Sequence, residues 1–216
     1  TLKTIASHQR FALRENLNKE AKIQIAHSAL KFIKPNISIA LNDGSTNFYF
    51  AKLLLNLKMN LTVITSGINT AIMLSENKNI LCYLVGGQVK NSILATSGSY
   101  AENMIENFNL DIAFISADGF TAKHGLTFAF EGEANIAKKM IKRSKKNIAL
   151  ITEQKLNLTE NISSVPCNKI DTLITSSKSK KLLKPFYNNN IKIINKNINY
   201  KIDINKSNIL KFNYVK

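Results

Sequence analysis

Residues 42–46, NDGST, follow the apolar run ISIAL and lead into AKLLLNL. Gly44 allows a tight bend and close approach to a ligand. Ser45 and Thr46 add hydroxyls, and the amides that open a helix point outward, where the dipole favours negative charge. With Asn42 and Asp43 these residues are a candidate phosphate cradle; the plainer alternative is that Asn, Asp, Ser and Thr are favoured helix caps. TSG (65–67) repeats the pattern with Ser66 and Gly67, and GGQVK (86–90) contributes two glycines and a cation, Lys90. SADGF (116–120) sets Asp118 before Gly119. A carboxylate repels phosphate, so Asp118 is expected at the hydroxyl end of a sugar, unless it merely forms a turn. Glu131 and Glu133 stand at a helix start, where they complement the dipole. No GxxxxGK[ST] segment is present, which argues against nucleotide hydrolysis. Cys82 and Cys167 lack metal-ligand spacing and read as buried or incidental thiols, and His124 as exposed in a short turn. Neither a metal nor a cofactor is expected.

The positioning elements follow from periodicity. Residues 10–34 carry Ile23, Ala26, Ala29, Leu30 and Ile33 at helical spacing and stop at Pro35. Short apolar runs lie at 37–41, 61–65, 80–85, 112–116, 148–152, 172–175 and 191–194, with amphipathic stretches at 48–57, 68–75, 100–108, 133–145 and 180–187 between most of them. Strand and helix in alternation predict an α/β fold: a mostly parallel Rossmann-like sheet with right-handed crossovers and helices on both faces. Strands covered on both faces read as continuous Val, Ile and Leu, as these do. Ligands of such sheets sit at the carboxyl ends of strands, which is where NDGST, TSG, GGQVK, SADGF and TEQK (152–155) fall.

The 216 residues suffice for one domain with a sizeable core, and 44% apolar with 20% charged residues is a globular composition. With no apolar segment near 18 residues and no signal-peptide pattern at the start, a cytoplasmic protein without membrane contact is expected. The net charge of +16 is concentrated at one end: residues 178–216 hold ten Lys and one Asp. Lysine mixed with Asn and Ile, without Arg forks or a nucleic-acid motif, reads as a solvated surface.

The ordered series DGST, LTVIT, LVGGQVK, ATSGSYAE, FISADGF, HGLT, EGEANIAKKMI, ALITEQK and IDTLIT resembles the C-terminal sensor domain of DeoR-type transcriptional repressors over about residues 10–195. The resemblance implies a ribose-5-phosphate isomerase-like fold and a regulator of sugar catabolism, whose effector is a phosphorylated sugar or polyol and whose DNA contacts come only from an N-terminal winged helix-turn-helix missing from this chain. It divides the chain into a linker and first helix (1–35), a sensor domain (36–195) and a basic tail (196–216), and implies a homo-oligomer. Transferred residue by residue, the ligand loop falls on Asn42, Asp43, Gly44, Ser45 and Thr46, the basic position on Lys90, the acidic turn on Asp118 and Gly119, and a later glutamate on Glu131. The sequence departs from the family pattern where Asp commonly stands in place of Asn42, Asn in place of Phe130 and Lys in place of Ala137.

A non-catalytic sensor is therefore expected. The alternatives are an active sugar-phosphate isomerase using Asp118 or Glu131 as base, and a basic interaction module acting through the tail. Alternation in INYKIDI predicts one or two further strands at a sheet edge.

Overall fold

Each of the seven apolar runs forms a strand, and the amphipathic stretches between them form helices. The computed structural model describes residues 7–90, 94–195, 200–203 and 211–214. In chain order the first half comprises α1 (Ser7–Asn16), α2 (Lys19–Ala29), β1 (Ser38–Leu41), α3 (Ser45–Leu54), β2 (Leu61–Thr65), α4 (Ile68–Leu74), β3 (Ile80–Leu84), β4 (Gln88–Lys90), β5 (Ala95–Ser97) and α5 (Ser99–Glu106). The second half comprises β6 (Leu110–Ile115), β7 (Gly119–Thr121), β8 (Gly125–Phe128), α6 (Glu131–Lys142), β9 (Ser144–Ile151), β10 (Ile162–Val165), β11 (Thr172–Thr175), α7 (Lys180–Tyr187), β12 (Lys192–Ile194), β13 (Tyr200–Asp203) and β14 (Lys211–Tyr214).

The main sheet has seven strands in the order β12-β11-β9-β6-β1-β2-β3, and every pairing within it is parallel. Successive side chains leave a strand on opposite faces, and both faces are covered. Ile39, Leu41, Ile112 and Phe114 pack with Phe50 and Leu54 of α3 and Ile25 of α2. Ala40, Ala113 and Ile115 face the other way, toward Ile105 of α5, Met140 of α6 and Phe186 of α7. The expected α/β fold is present, with its seven parallel strands and their order of appearance.

Three features depart from the pattern read off the sequence. Residues 10–34 do not form one helical stretch: Asn18 at φ 54° breaks it between α1 and α2, because a left-handed residue cannot continue the backbone ladder. A three-stranded antiparallel sheet, β10-β8-β7, sits apart from the main sheet. Gly119 and Gly125 permit it, since a Cβ on Gly125 would stand 1.9 Å from the Val165 carbonyl oxygen and one on Gly119 2.4 Å from that of Leu158. In the tail, β13 and β14 pair with each other, antiparallel, rather than with the main sheet; the rest of 196–216 lies outside the described residues.

Candidate functional site

The sheet reverses its order between β1 and β6: β2 and β3 extend to one side of β1, and β6, β9, β11 and β12 to the other. Connections leaving the carboxyl ends of the two central strands diverge at such a point and leave a crevice. Leu41 lies opposite Phe114 in register, so NDGST and SADGF leave the sheet side by side.

Asn42 ties the two loops together. Its Nδ2 donates to the Ser116 carbonyl at 2.8 Å, and its Oδ1 accepts the Ser116 N–H at 2.8 Å and Asn47 Nδ2 at 2.8 Å. Asn47 donates further to the carbonyls of Asn42 and Phe114, each at 3.0 Å. Asn42 is buried and its amide is engaged within the protein. The bond to the Ser116 carbonyl needs a donor, which an ionised carboxylate at this position would lack.

Next, Gly44 takes φ 131° and caps α3 without a side-chain hydrogen bond. The first intrahelical bond runs from Phe48 N–H to the Gly44 carbonyl at 3.0 Å, so the amides of Ser45, Thr46 and Asn47 have no acceptor in the helix. A recess of about 30 Å³ at this bend is lined by Asp43, Gly44, Ser45, Thr46, Ser116 and Asp118, and also by Arg14, Glu133 and Lys155. Arg14, Asp118, Glu133 and Lys155 equally line an adjoining cavity of about 410 Å³, so the recess is the polar end of a larger space. That space is walled by Phe130 and Leu17 and carries Thr152, Gln154 and Glu160.

The recess holds charge at close quarters. Asp43 is buried, and burial pushes its carboxyl up to about 6; Arg14 opposes that rise, and the neighbouring Asp118 adds to it. Asp118 Oδ2 accepts the Ala129 N–H at 3.2 Å, while Oδ1 is 3.6 Å from Lys155 Nζ. Lys155 also donates to the Ala117 carbonyl at 2.7 Å. Lys22 donates to the carbonyls of Arg14 and Leu17 at the end of α1; burial, together with Lys155 and Arg14, lowers it to about 8, so it remains an ammonium at neutral pH. Buried side-chain atoms at the recess without a hydrogen-bond partner include Ser116 Oγ, the Nε and Nη2 of Arg14, and one carboxylate oxygen of Glu133, Oε1.

The residues singled out in the sequence are thus partly gathered. Asn42, Asp43, Gly44, Ser45, Thr46 and Asp118 meet at the recess. Ser66 lies behind it, fully buried, its Oγ accepting the Asp43 N–H at 3.1 Å. Gly67 is packed there too, a Cβ on it falling 3.6 Å from the Asp43 Cα. Gly119 opens β7. Glu131 lines a different cavity, of about 490 Å³, with Gln88, Ser97 and Gly98, and the side chain of Lys90 lies outside the described residues. Ala137 is fully buried in the apolar core and is not among the residues lining the recess. Sequence reasoning missed Arg14, Ser116 and Lys155. TEQK was legible as a strand-end turn, which would have pointed to Lys155; nothing local marks Arg14.

The model of the DeoR C-terminal sensor domain matches residues 17–177. The HTH-type transcriptional regulator GolR of Listeria innocua serovar 6a is 39% identical over 166 residues, covering 77% of this chain and 65% of that protein. The HTH-type transcriptional repressor GlcR of Bacillus subtilis is 33% identical over 156 residues, covering 72% and 59%. The chain therefore spans less than two thirds of the length of these relatives. Among solved structures, the tetrameric eIF2B-beta2-delta2 complex of C. thermophilum shares the fold, at TM-score 0.51 and 18% identity over 72% of this chain and 53% of that one. Ribose 5-phosphate isomerase A of Methanocaldococcus jannaschii matches at TM-score 0.48 and 20% identity over 64% and 54%.

Proposed function

Because the chain belongs to the DeoR C-terminal sensor domain family, we propose that its crevice binds a phosphorylated sugar or polyol and that this binding regulates a DNA-binding domain joined to its N-terminal side. The observation that carries the reading is the uncapped start of α3, where the bend at Gly44 brings free helix amides and the unpartnered Ser116 Oγ to one recess. A helix start of this kind favours an anion through both its dipole and its exposed N–H groups. The phosphate occupies the recess, widened on binding, and the carbon chain extends into the 410 Å³ cavity, where Asp118, Thr152, Gln154 and Glu160 offer partners to hydroxyls.

Catalysis is not part of the reading: the matching family is a sensor domain and the relatives named are transcriptional regulators. The two carboxylates that an isomerase would use, Asp118 and Glu131, line different cavities. In this reading the protein works in the cytoplasm, needs no cofactor, and assembles as a homo-oligomer to match paired operator half-sites. The edge strand β3 suits such assembly, with Leu81, Tyr83 and Leu84 exposed and no charged residue along it, whereas edges meant to stay single are usually guarded by charge.

Titrating the chain with matched pairs of phosphorylated and unphosphorylated sugars, by calorimetry, tests the reading. The phosphorylated member should bind at least about 100-fold more tightly, as expected when two or more charge-assisted bonds are lost together. Gly44→Ala, whose Cβ would crowd the Ser116 Cβ at 3.3 Å in a backbone conformation that L residues rarely adopt, should abolish that preference. Equal affinity within each pair overturns the proposal.

A further inference from the structure

We propose that Arg14 is a direct ligand of the bound anion, so that the effector site is completed by α1, the helix that leads out of the domain toward its N-terminal side, and not by the sheet's loops alone. The inference rests on the crevice being the effector site and adds a residue that neither the loop pattern nor the sheet topology points to. Arg14 lines both the recess and the adjoining cavity. Its Nε and Nη2 are buried without a hydrogen-bond partner, and the Ser116 Oγ on the opposing loop is likewise unpartnered. Ser116 itself is only 6% exposed. Arg14 is in none of the ion pairs Lys52–Glu15, Lys139–Glu106, Lys145–Asp111 and Lys155–Asp118, while the carboxylates of Asp43, Asp118 and Glu133 line the recess with it. Leaving a buried guanidinium's donors unsatisfied is costly, and such groups in a folded protein call for an acceptor. A phosphate supplies two oxygens in the spacing of the guanidinium fork. Donors then converge on it from two sides: the helix amides and Ser116 from the sheet, Arg14 from α1.

The position of α1 is registered against the cradle by contacts of its own. The Phe11 ring meets Phe48 of α3 edge-on at 5.2 Å, Glu15 pairs with Lys52 of α3 at 2.6 Å, and Lys22 of α2 holds the Arg14 and Leu17 carbonyls. The first two contacts fix α1 on α3, the helix whose start forms the recess, and the third ties the end of α1 to α2. An anion that recruits Arg14 therefore adds a bond between α1 and the sheet, and its occupancy is transmitted to whatever precedes α1. A ligand shifts such an equilibrium only through contacts that differ between the two arrangements, and the Arg14 fork is a contact of that kind.

Inorganic phosphate is the probe. It is titrated against the 216-residue chain and its Arg14→Gln, Arg14→Lys and Gly44→Ala variants, by thermal shift and calorimetry in a non-phosphate buffer, with amide hydrogen exchange followed across residues 7–16. The wild-type chain should bind, Gly44→Ala should not, Arg14→Gln should bind about 10- to 100-fold more weakly, the range for bonds to a charged group, and Arg14→Lys should fall between. Phosphate should slow exchange in α1 of the wild type and leave it unchanged in Arg14→Gln, a readout that a purely structural arginine would not move. Binding that survives in Arg14→Gln but is lost in Gly44→Ala overturns the role of Arg14 and leaves the cradle standing. Absence of binding to the wild-type chain overturns both.

Discussion

Replacing Asp43 by Asn removes a charge that the fold holds at a cost. Burial raises the Asp43 carboxyl from 3.8 to about 6, so the folded chain binds this proton roughly a hundredfold more tightly than the unfolded chain does. At about 1.4 kcal/mol for each tenfold change, the ionised side chain destabilises the fold by about 3 kcal/mol relative to its protonated form. The sign follows from linkage. Between pH 3.8 and 6 the folded state carries more protons than the unfolded state, so stability falls as pH rises through this window and is lowest above it. An Asn of the same shape has no such dependence and keeps the backbone bond from position 43 to Ser66 Oγ. Asp43→Asn should therefore match the wild type below about pH 4 and exceed it by about 2–3 kcal/mol at pH 8. Urea denaturation from pH 4 to 8 in buffers free of phosphate, extrapolated linearly to water, measures this difference. A variant less stable than wild type at pH 8, or a difference that does not change with pH, would refute the account of Asp43 as a carboxylate strained by burial. The same substitution should tighten phosphate binding at pH 8, because it removes an anion from the recess.

Other outcomes follow from particular contacts. Asn42→Asp loses the donor to the buried Ser116 carbonyl and should cost about 1–3 kcal/mol, the penalty for a buried unpaired group, read as a lower urea midpoint with an unchanged m value. Gly125→Ala sets a Cβ 1.9 Å from the Val165 oxygen at φ 69°; it should cost more than about 3 kcal/mol by disrupting the β8–β10 pairing, and a thermal melt matching wild type would contradict this. Leu81→Lys puts charge on the exposed edge strand β3 and should shift the chain toward monomer in light scattering if that edge is the assembly surface. An unchanged mass for a multimeric chain would place the assembly contact elsewhere.

Local pattern and tertiary arrangement divide the information about this protein in a definite way. The seven strand runs, the helices between them and the polar turns at the strand ends are local properties of residue type and spacing, and they were readable along the chain from Ile37 to Ile194. The bend at Gly44 and the acidic turn at Asp118 were readable for the same reason, since a turn declares itself through Gly and Asp whatever surrounds it. That β1 and β6 are neighbours was not readable, because parallel strands joined by long crossovers carry no local record of which pair forms. This adjacency alone brings Asn42 to Ser116 and turns two separate loops into one crevice. It also makes Asn42, besides lining the recess, the clasp that holds the loops together, and sets Ser66 behind Asp43. The antiparallel β7, β8 and β10 escaped notice because three or four residues are too few to show a period. Arg14 is the extreme case: its neighbours in sequence describe an ordinary helix, and only the packing of that helix on α3 delivers a guanidinium to a recess formed far along the chain. Sequence determined the elements and their loops; the strand order and the docking of α1 decided which loops and which cation share one site, because contacts between residues distant along the chain depend on how whole elements bury their apolar faces against one another.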